Sequence, residues 1–165
     1  MADRSVAPKS FLLTADLASY LVGHGSPPDA LQLALIDETA ALGPIAGMQV
    51  APEQGAFLTL LTRLIGARSA VEVGTFTGYS ALCIARGLPA DGHLLCCDVS
   101  EEWTAIARRA WDASGVADRI ELKIANLVEV TAEMVWGARL LGDLVPLPEK
   151  TRQKMAPIYK MMRGM

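Results

Sequence analysis

Two acidic residues and two glycines have the spacing of a site for a nucleoside-containing ligand. Glu72 lies in a short β-branched run, Gly74 and Gly78 follow that run, and Asp98 ends the next apolar run. A glycine turn between a strand and a helix lets a ligand approach the backbone and the unpaired N–H groups of the helix N-terminus. A carboxylate at the end of the second strand commonly accepts hydrogen bonds from ribose hydroxyls. The pattern therefore favours a nucleoside cofactor.

A purely structural interpretation of these residues stays open. The glycines could form only a tight turn, and Asp98 could serve only to start the next helix. The glycine spacing is Gly-x-x-x-Gly, which differs from the Gly-x-Gly-x-x-Gly fingerprint of dinucleotide-binding proteins. A nucleotide-binding oxidoreductase is disfavoured for that reason.

The elements that must position these residues alternate between strands and helices. The predicted strands are 70–73, 93–97 and 119–124, and the predicted helices between them are 78–86 and the segment from 101 to Gly115. Ser100 is the expected N-cap of the second of these helices. Strand, helix, strand, helix, strand is the mononucleotide-binding half of a doubly wound α/β sheet.

We divide the chain into three segments of one domain. Residues 1–47 form a helical N-terminal segment, residues 48–124 form the βαβαβ half with the candidate site, and residues 125–165 form a divergent, mostly helical tail. With only three strands recognised, the first strand is expected at an open edge of the sheet, which a tail or a second chain would have to cover.

Two helices are predicted ahead of the first strand. One begins at Asp29 and ends before Gly43, and the other begins at Pro52 and is closed by Gly66. The second helix has an apolar stripe, which we expect to pack in the core. The stripe consists of Phe57, Leu58, Leu61, Leu64 and Ile65.

Composition excludes several classes of protein. The 165 residues carry a formal net charge of −3, so no overall basic field exists to bind nucleic acid. No apolar run reaches the roughly 18 residues of a membrane span, and no signal-peptide pattern opens the chain. The three cysteines make a poor disulfide framework. We therefore expect a cytoplasmic protein that binds neither nucleic acid nor a membrane.

The stretch from Met48 to about Arg119 resembles the cation-dependent O-methyltransferases, the caffeoyl-CoA and catechol O-methyltransferase group. The pieces that carry this resemblance occur in the family's order. They are Met48-Gln49-Val50, Glu53-Gln54-Gly55, Val71-Glu72-Val73-Gly74-Thr75-Phe76-Thr77-Gly78-Tyr79-Ser80, Cys97-Asp98-Val99-Ser100 and Ala113-Ser114-Gly115-Val116-Ala117-Asp118-Arg119-Ile120. The resemblance implies a Rossmann-like class I methyltransferase fold, here incomplete, with helical segments at both ends.

The resemblance also implies a site for S-adenosylmethionine (SAM). Val50 would contact the methionine end of SAM, and the backbone of Gly74 and Thr75 would lie against the cofactor. Ser80 would bond the methionine carboxylate, and Asp98 would hold the ribose hydroxyls. Glu72 would organise the loop or take the ammonium group.

The chain departs from the family after residue 124. The family carries an Asp-Ala-Asp-Lys segment and later an Asp-Asn pair, which supply the divalent-metal ligands and a catalytic lysine. Here Asn126 is the only Asn, Asp143 is the only Asp after Asp118, and no such segment exists. We therefore predict no specific metal site and assign no catalytic residue.

Two functions follow as expectations from this resemblance. The first is a SAM-dependent O-methyltransferase that methylates a hydroxyl of a small aromatic acceptor of the catechol or caffeoyl kind. The alternative is a catalytically inactive SAM-binding or dimerisation remnant of that family. A homodimer is a further expectation, because the family tends to dimerise.

Overall fold

The computed structural model describes residues 14–125 of the chain. Residues 1–13 and 126–165 lie outside the described part, and the helices predicted for the tail fall there. The chain divides into two compact units, Met1–Ile124 and Ala125–Met165. The described residues belong, apart from Ala125, to the first of these units.

Three parallel strands form a sheet in the order β1-β2-β3 within the described residues. They are β1 (Ser69–Val73), β2 (His93–Asp98) and β3 (Ile120–Ile124). β2 is buried from its second residue onward, whereas β1 is half-buried, since it pairs on one side only in this part of the chain. The α/β fold class is confirmed, and β1 lies at an edge of the sheet that the described residues form, as expected from the sequence.

Each crossover between strands contains a helix. These helices are α4 (Tyr79–Gly87) and α5 (Glu101–Ala113). The hydroxyl oxygen of Ser100 accepts the backbone N–H of Trp103 at 3.2 Å, so the predicted N-cap of α5 is confirmed. The ends of both helices agree with the sequence prediction to within about two residues.

The helices ahead of β1 are α1 (Ala15–His24), α2 (Ala30–Ala40) and α3 (Pro52–Leu64). A 3₁₀ helix, Gly43–Met48, connects α2 to α3. Asp29 begins α2 through a reciprocal capping box with Gln32. None of the described helices is long and apolar enough to cross a membrane.

The core lies between the sheet and its helices. Leu82 of α4, Leu94 of β2 and Trp111 of α5 are at most 3% exposed and belong to a single apolar cluster. Leu35 of α2 joins the same cluster, so the N-terminal helices share a core with the βαβαβ half.

The apolar stripe predicted to pack α3 into the core is largely exposed. Phe57 is 59%, Leu64 77% and Ile65 66% exposed, and Leu61 is exposed as well. Only Leu58 of that stripe packs, half-buried, against the core. The core-packing prediction is therefore wrong for the other four residues.

Small and polar residues of α3 make the contact with α4 instead. A Cβ built on Gly55 would lie 2.6 Å from the Tyr79 ring, and the Thr59 hydroxyl donates to the carbonyl of Cys83 at 2.8 Å. Thr62 of α3 packs against Gly87 of α4 so closely that a Cβ built on Gly87 would lie 2.6 Å from the Cβ of Thr62. The two helices approach too closely for large side chains, which is why the bulky residues of α3 face outward.

Candidate functional site

The loop between β1 and α4 turns sharply and leaves one backbone position open. Gly74 has a φ of +91°, in the left-handed region that glycine adopts without strain. Its N–H donates to the carbonyl of Cys97 in β2 at 2.9 Å, which holds the start of the loop against the sheet. A Cβ at Gly74 would meet no atom within 4 Å. The loop therefore offers open space at a backbone that a ligand can approach.

Gly78 is required for a different reason. A Cβ there would lie 2.5 Å from the Cβ of Ala107 and 2.8 Å from Nε1 of Trp111, so α5 packs directly against its backbone. Gly78 is also the N-cap of α4, and no side chain caps the helix at this end. The first N–H groups of α4 thus remain available to an anionic group.

Asp98 ties the next strand to this loop. Its Oδ2 accepts the backbone N–H of Phe76 at 2.7 Å, and its Oδ1 accepts the N–H of Ser100 at 2.9 Å. The residue is only 8% exposed. Asp98 therefore shapes the loop between β1 and α4 as well as the start of α5. Each carboxylate oxygen retains a further lone pair for a ligand hydroxyl.

Phe76 occupies a strained position in the same loop. Its φ is +51°, which is uncommon for a residue with an aromatic side chain. Its ring meets Trp103 edge-to-face, with 5.2 Å between the ring centroids. The bond to Asp98 and this aromatic contact together stabilise the strained backbone, and neither contact was foreseen from the sequence.

Glu72 lies half-buried below the loop, on the face of the sheet that carries Cys96. Burial raises the pKa of the Glu72 carboxyl to about 7, and hydrogen bonds from Ser80, Thr75 and Cys96 partly oppose that rise. The Cys96 thiol lies 3.8 Å from Oε2 of Glu72. Ser80 and Thr75, which both lie in the region of the loop, lower the pKa of this carboxyl, so Glu72 interacts with the loop and with the start of α4.

Val50 and the loop line one cleft. Its walls are Met48, Gln49 and Val50 on one side and Gly74 through Ser80 on the other. Of the predicted site residues, Val50, Gly74, Thr75 and Ser80 line the cleft, whereas Glu72 and Asp98 act on the loop that forms its wall. All six predicted residues thus meet in one region of the fold.

A buried polar cluster joins the two walls and was missed from the sequence. The side-chain amide of Gln49 donates to the Thr39 hydroxyl at 2.9 Å, and the hydroxyls of Thr39 and Thr77 lie 2.8 Å apart. Gln49 and Thr77 stand in pieces that carry the family resemblance, and Thr39 is a polar residue within the apolar spacing of α2, but nothing in the sequence links the three.

The described residues do not fit a divalent cation. Between residues 14 and 125, no group of three or more His, Cys, Asp or Glu side chains comes close enough to hold a metal ion. We derive no chemical step through a metal here.

Comparison with known proteins identifies the family to which the chain belongs. The sequence model of a family described as O-methyltransferase matches residues 25–144, well over half of the chain. Caffeoyl-CoA O-methyltransferase 2 of Petunia hybrida is 32% identical over 141 residues, which cover 85% of this chain and 58% of that protein. Catechol O-methyltransferase of Niastella koreensis is 32% identical over 111 residues, covering 67% of this chain and 49% of that one.

A solved structure agrees with the sequence relatives. The O-methyltransferase of Bacillus cereus, in complex with SAH, superposes with a TM-score of 0.64 at 30% identity, covering 73% of this chain and 54% of that one. The chain spans about half to three fifths of the length of the curated relatives named here. On the family match and these identities, the chain belongs to the O-methyltransferase family.

Proposed function

We propose that the cleft between Val50 and the glycine loop binds SAM, and that the chain serves SAM-dependent methylation of a hydroxyl on a small aromatic molecule. The observation that carries the proposal is the open backbone at Gly74, bounded by the uncapped N-terminus of α4 and by Asp98. Membership of the O-methyltransferase family supports the reaction type.

The donors and acceptors around the cleft match the chemistry of SAM. The N–H groups at the start of α4 suit the methionine carboxylate, since a helix N-terminus favours an anion. Asp98 can accept the two ribose hydroxyls with the lone pairs that Phe76 and Ser100 leave unused. Glu72, once ionised, suits the methionine ammonium.

When bound, SAM would supply a methyl group whose carbon, attached to a positively charged sulfur, is open to attack by the acceptor oxygen; the S–C bond would break, S-adenosylhomocysteine would leave and the hydroxyl would lose its proton. The contribution of this chain is to hold the cofactor in one orientation, and positioning of that kind can account for a large part of a rate enhancement. The catechol or caffeoyl nature of the acceptor is proposed from the names of the two relatives above.

A second candidate is a SAM-binding protein without transfer activity. The absence of an Asp-Ala-Asp-Lys segment from the printed sequence favours it, because the lysine and metal ligands that the resemblance implies have no counterpart. For both candidates we also propose that the protein is a homodimer and that it is located in the cytoplasm.

Calorimetry with SAM and with S-adenosylhomocysteine, its demethylated product, tests the binding step. A methyl-transfer assay with catechol as the acceptor separates the two candidates. The assay is run with Mg²⁺ and with EDTA, and the methylated product is detected by mass spectrometry. Binding with transfer supports the enzyme, whether or not Mg²⁺ stimulates the transfer, and binding without transfer supports the second candidate. The absence of binding by either ligand would refute both.

A further inference from the structure

The hydroxyl of Thr39 sits at the centre of a buried polar cluster. It lies 2.8 Å from the Thr77 hydroxyl, 2.9 Å from the side-chain nitrogen of Gln49 and 2.8 Å from the carbonyl of Leu35. Thr39 is 1%, Thr77 0% and Gln49 9% exposed. Water is therefore largely unable to replace any contact that is lost.

The three side chains come from three separate parts of the chain. Thr39 belongs to α2, Gln49 follows the 3₁₀ helix, and Thr77 lies in the glycine loop. Gln49 and Thr77 belong to the two segments that line the proposed cofactor cleft, whereas Thr39 does not line it. The Gln49 amide also donates directly to the Thr77 hydroxyl at 3.4 Å, but the contacts that each of them makes with Thr39 are shorter.

A buried hydrogen-bonding group that loses its partner costs far more than an exposed one, because the desolvation of the remaining group is no longer offset. Removal of the Thr39 hydroxyl would therefore loosen the loop that carries Thr77 and the segment that carries Gln49 at the same time. The backbone of the same loop forms the cleft at Gly74.

We propose that Thr39 is a positioning residue for the cofactor: it fixes the two walls of the cleft at the separation that the ligand needs. This inference rests on the proposed SAM site and adds α2 to it. Helix α2 then contributes to the cofactor site through Thr39, although Thr39 does not line the cleft.

The test compares three variants in the full chain. Thr39→Val removes the hydroxyl and keeps the shape. Thr39→Ser keeps the hydroxyl and removes only the methyl group. Thr62→Val is the matched control, because the hydroxyl of Thr62, also buried, donates at 2.7 Å to Leu58 within its own helix. We would measure the affinity for S-adenosylhomocysteine and the hydrogen exchange of residues 74–80 without ligand.

For Thr39→Val we expect about a tenfold weaker affinity, equivalent to ~1.4 kcal/mol, together with faster exchange of residues 74–80. Thr62→Val should keep the affinity and the exchange rates near wild type. Thr39→Ser should be much closer to wild type in both than Thr39→Val is. If Thr39→Val does not fold, Thr39→Ala gives the same comparison with a smaller side chain.

Two results would overturn the inference. One is wild-type affinity and exchange in a folded Thr39→Val protein. The other is equal losses in Thr39→Val and Thr62→Val, which would show a general effect on stability. If the wild-type chain binds no S-adenosylhomocysteine, the proposed function is refuted instead. The exchange of residues 74–80 in wild type and in Thr39→Val then shows whether Thr39 holds the loop in place.

Discussion

The indole N–H of Trp111 donates to the carbonyl oxygen of Gly78 at 3.1 Å. This bond joins α5 to the N-cap residue of α4. It forms because glycine has no side chain that would separate the two residues. The same close approach fixes the end of the glycine loop. Packing in the core and the shape of the cleft are therefore linked at Gly78.

Gly78→Ala should be strongly destabilising. The new Cβ would overlap Ala107 and Trp111, and the φ of +81° would add backbone strain. We expect a loss of about 2–4 kcal/mol in the free energy of unfolding. Urea denaturation measures it. Gly66→Ala is the control, because Gly66 has a φ of +62° but open space around it, so the strain alone of about 1–2 kcal/mol should appear.

Asp98→Ala should weaken both SAM binding and the fold. The substitution leaves the N–H groups of Phe76 and Ser100 without their acceptor. We expect a loss of about 1–3 kcal/mol in binding and a similar loss in stability. Calorimetry and urea denaturation measure the two losses. Asp91→Ala, which removes an exposed ion pair with Arg68, should change neither by more than about 1 kcal/mol. Wild-type affinity in folded Asp98→Ala would exclude Asp98 from the site.

Glu72→Gln should alter how stability depends on pH. The carboxyl has a pKa of about 7 in the fold against 4.5 in an unperturbed chain, so between these values the folded state holds a proton that the unfolded state has released. The free energy of unfolding therefore falls as the pH rises from 4.5 to 7. We expect Glu72→Gln to exceed wild type by about 1–2 kcal/mol at pH 8, with the gap closing towards pH 4.5.

Unfolding curves at pH 5 and pH 8 check this expectation. Glu102→Gln is the control, since the side chain of Glu102 is exposed. A difference between Glu72→Gln and wild type that is the same at both pH values would contradict the assignment of the titration to Glu72.

Leu64→Ala and Leu82→Ala should differ widely. Leu64 is 77% exposed on α3, so its truncation should cost less than about 0.5 kcal/mol. Leu82 is fully buried in α4, and the same truncation there should cost about 2–5 kcal/mol. Thermal or urea unfolding of the two variants measures the contrast, and equal losses would show that α3 packs through its large side chains after all.

The sequence predicted the strands and helices between residues 69 and 124 well, because each carries a strong local signal. Gly74 and Gly78 bound a turn, Ser100 caps a helix, and Asp98 ends an apolar run. These signals depend on neighbours a few positions away, so they can be interpreted without knowledge of the fold. The six candidate site residues were chosen from the same local motifs and from the family resemblance, and their roles stay predictions.

Packing between distant segments was not predictable in this way. The α3 stripe was chosen by the size of its apolar side chains, whereas the actual contact depends on how closely Gly55 and Gly87 let two helices approach. The cluster around Thr39 joins residues 10 and 38 positions apart, and neither threonine nor glutamine carries a periodic signal. Such contacts appear only when the fold brings the partners together.

The strand order of the described sheet repeats the order of the strands along the chain. β2 pairs with the strand synthesised just before it, and β3 then pairs with β2. Each pairing needs only one short crossover helix, so the entropy lost in closing each loop is small. This half of the sheet can therefore pair strand by strand in chain order, without waiting for a strand that comes later in the sequence.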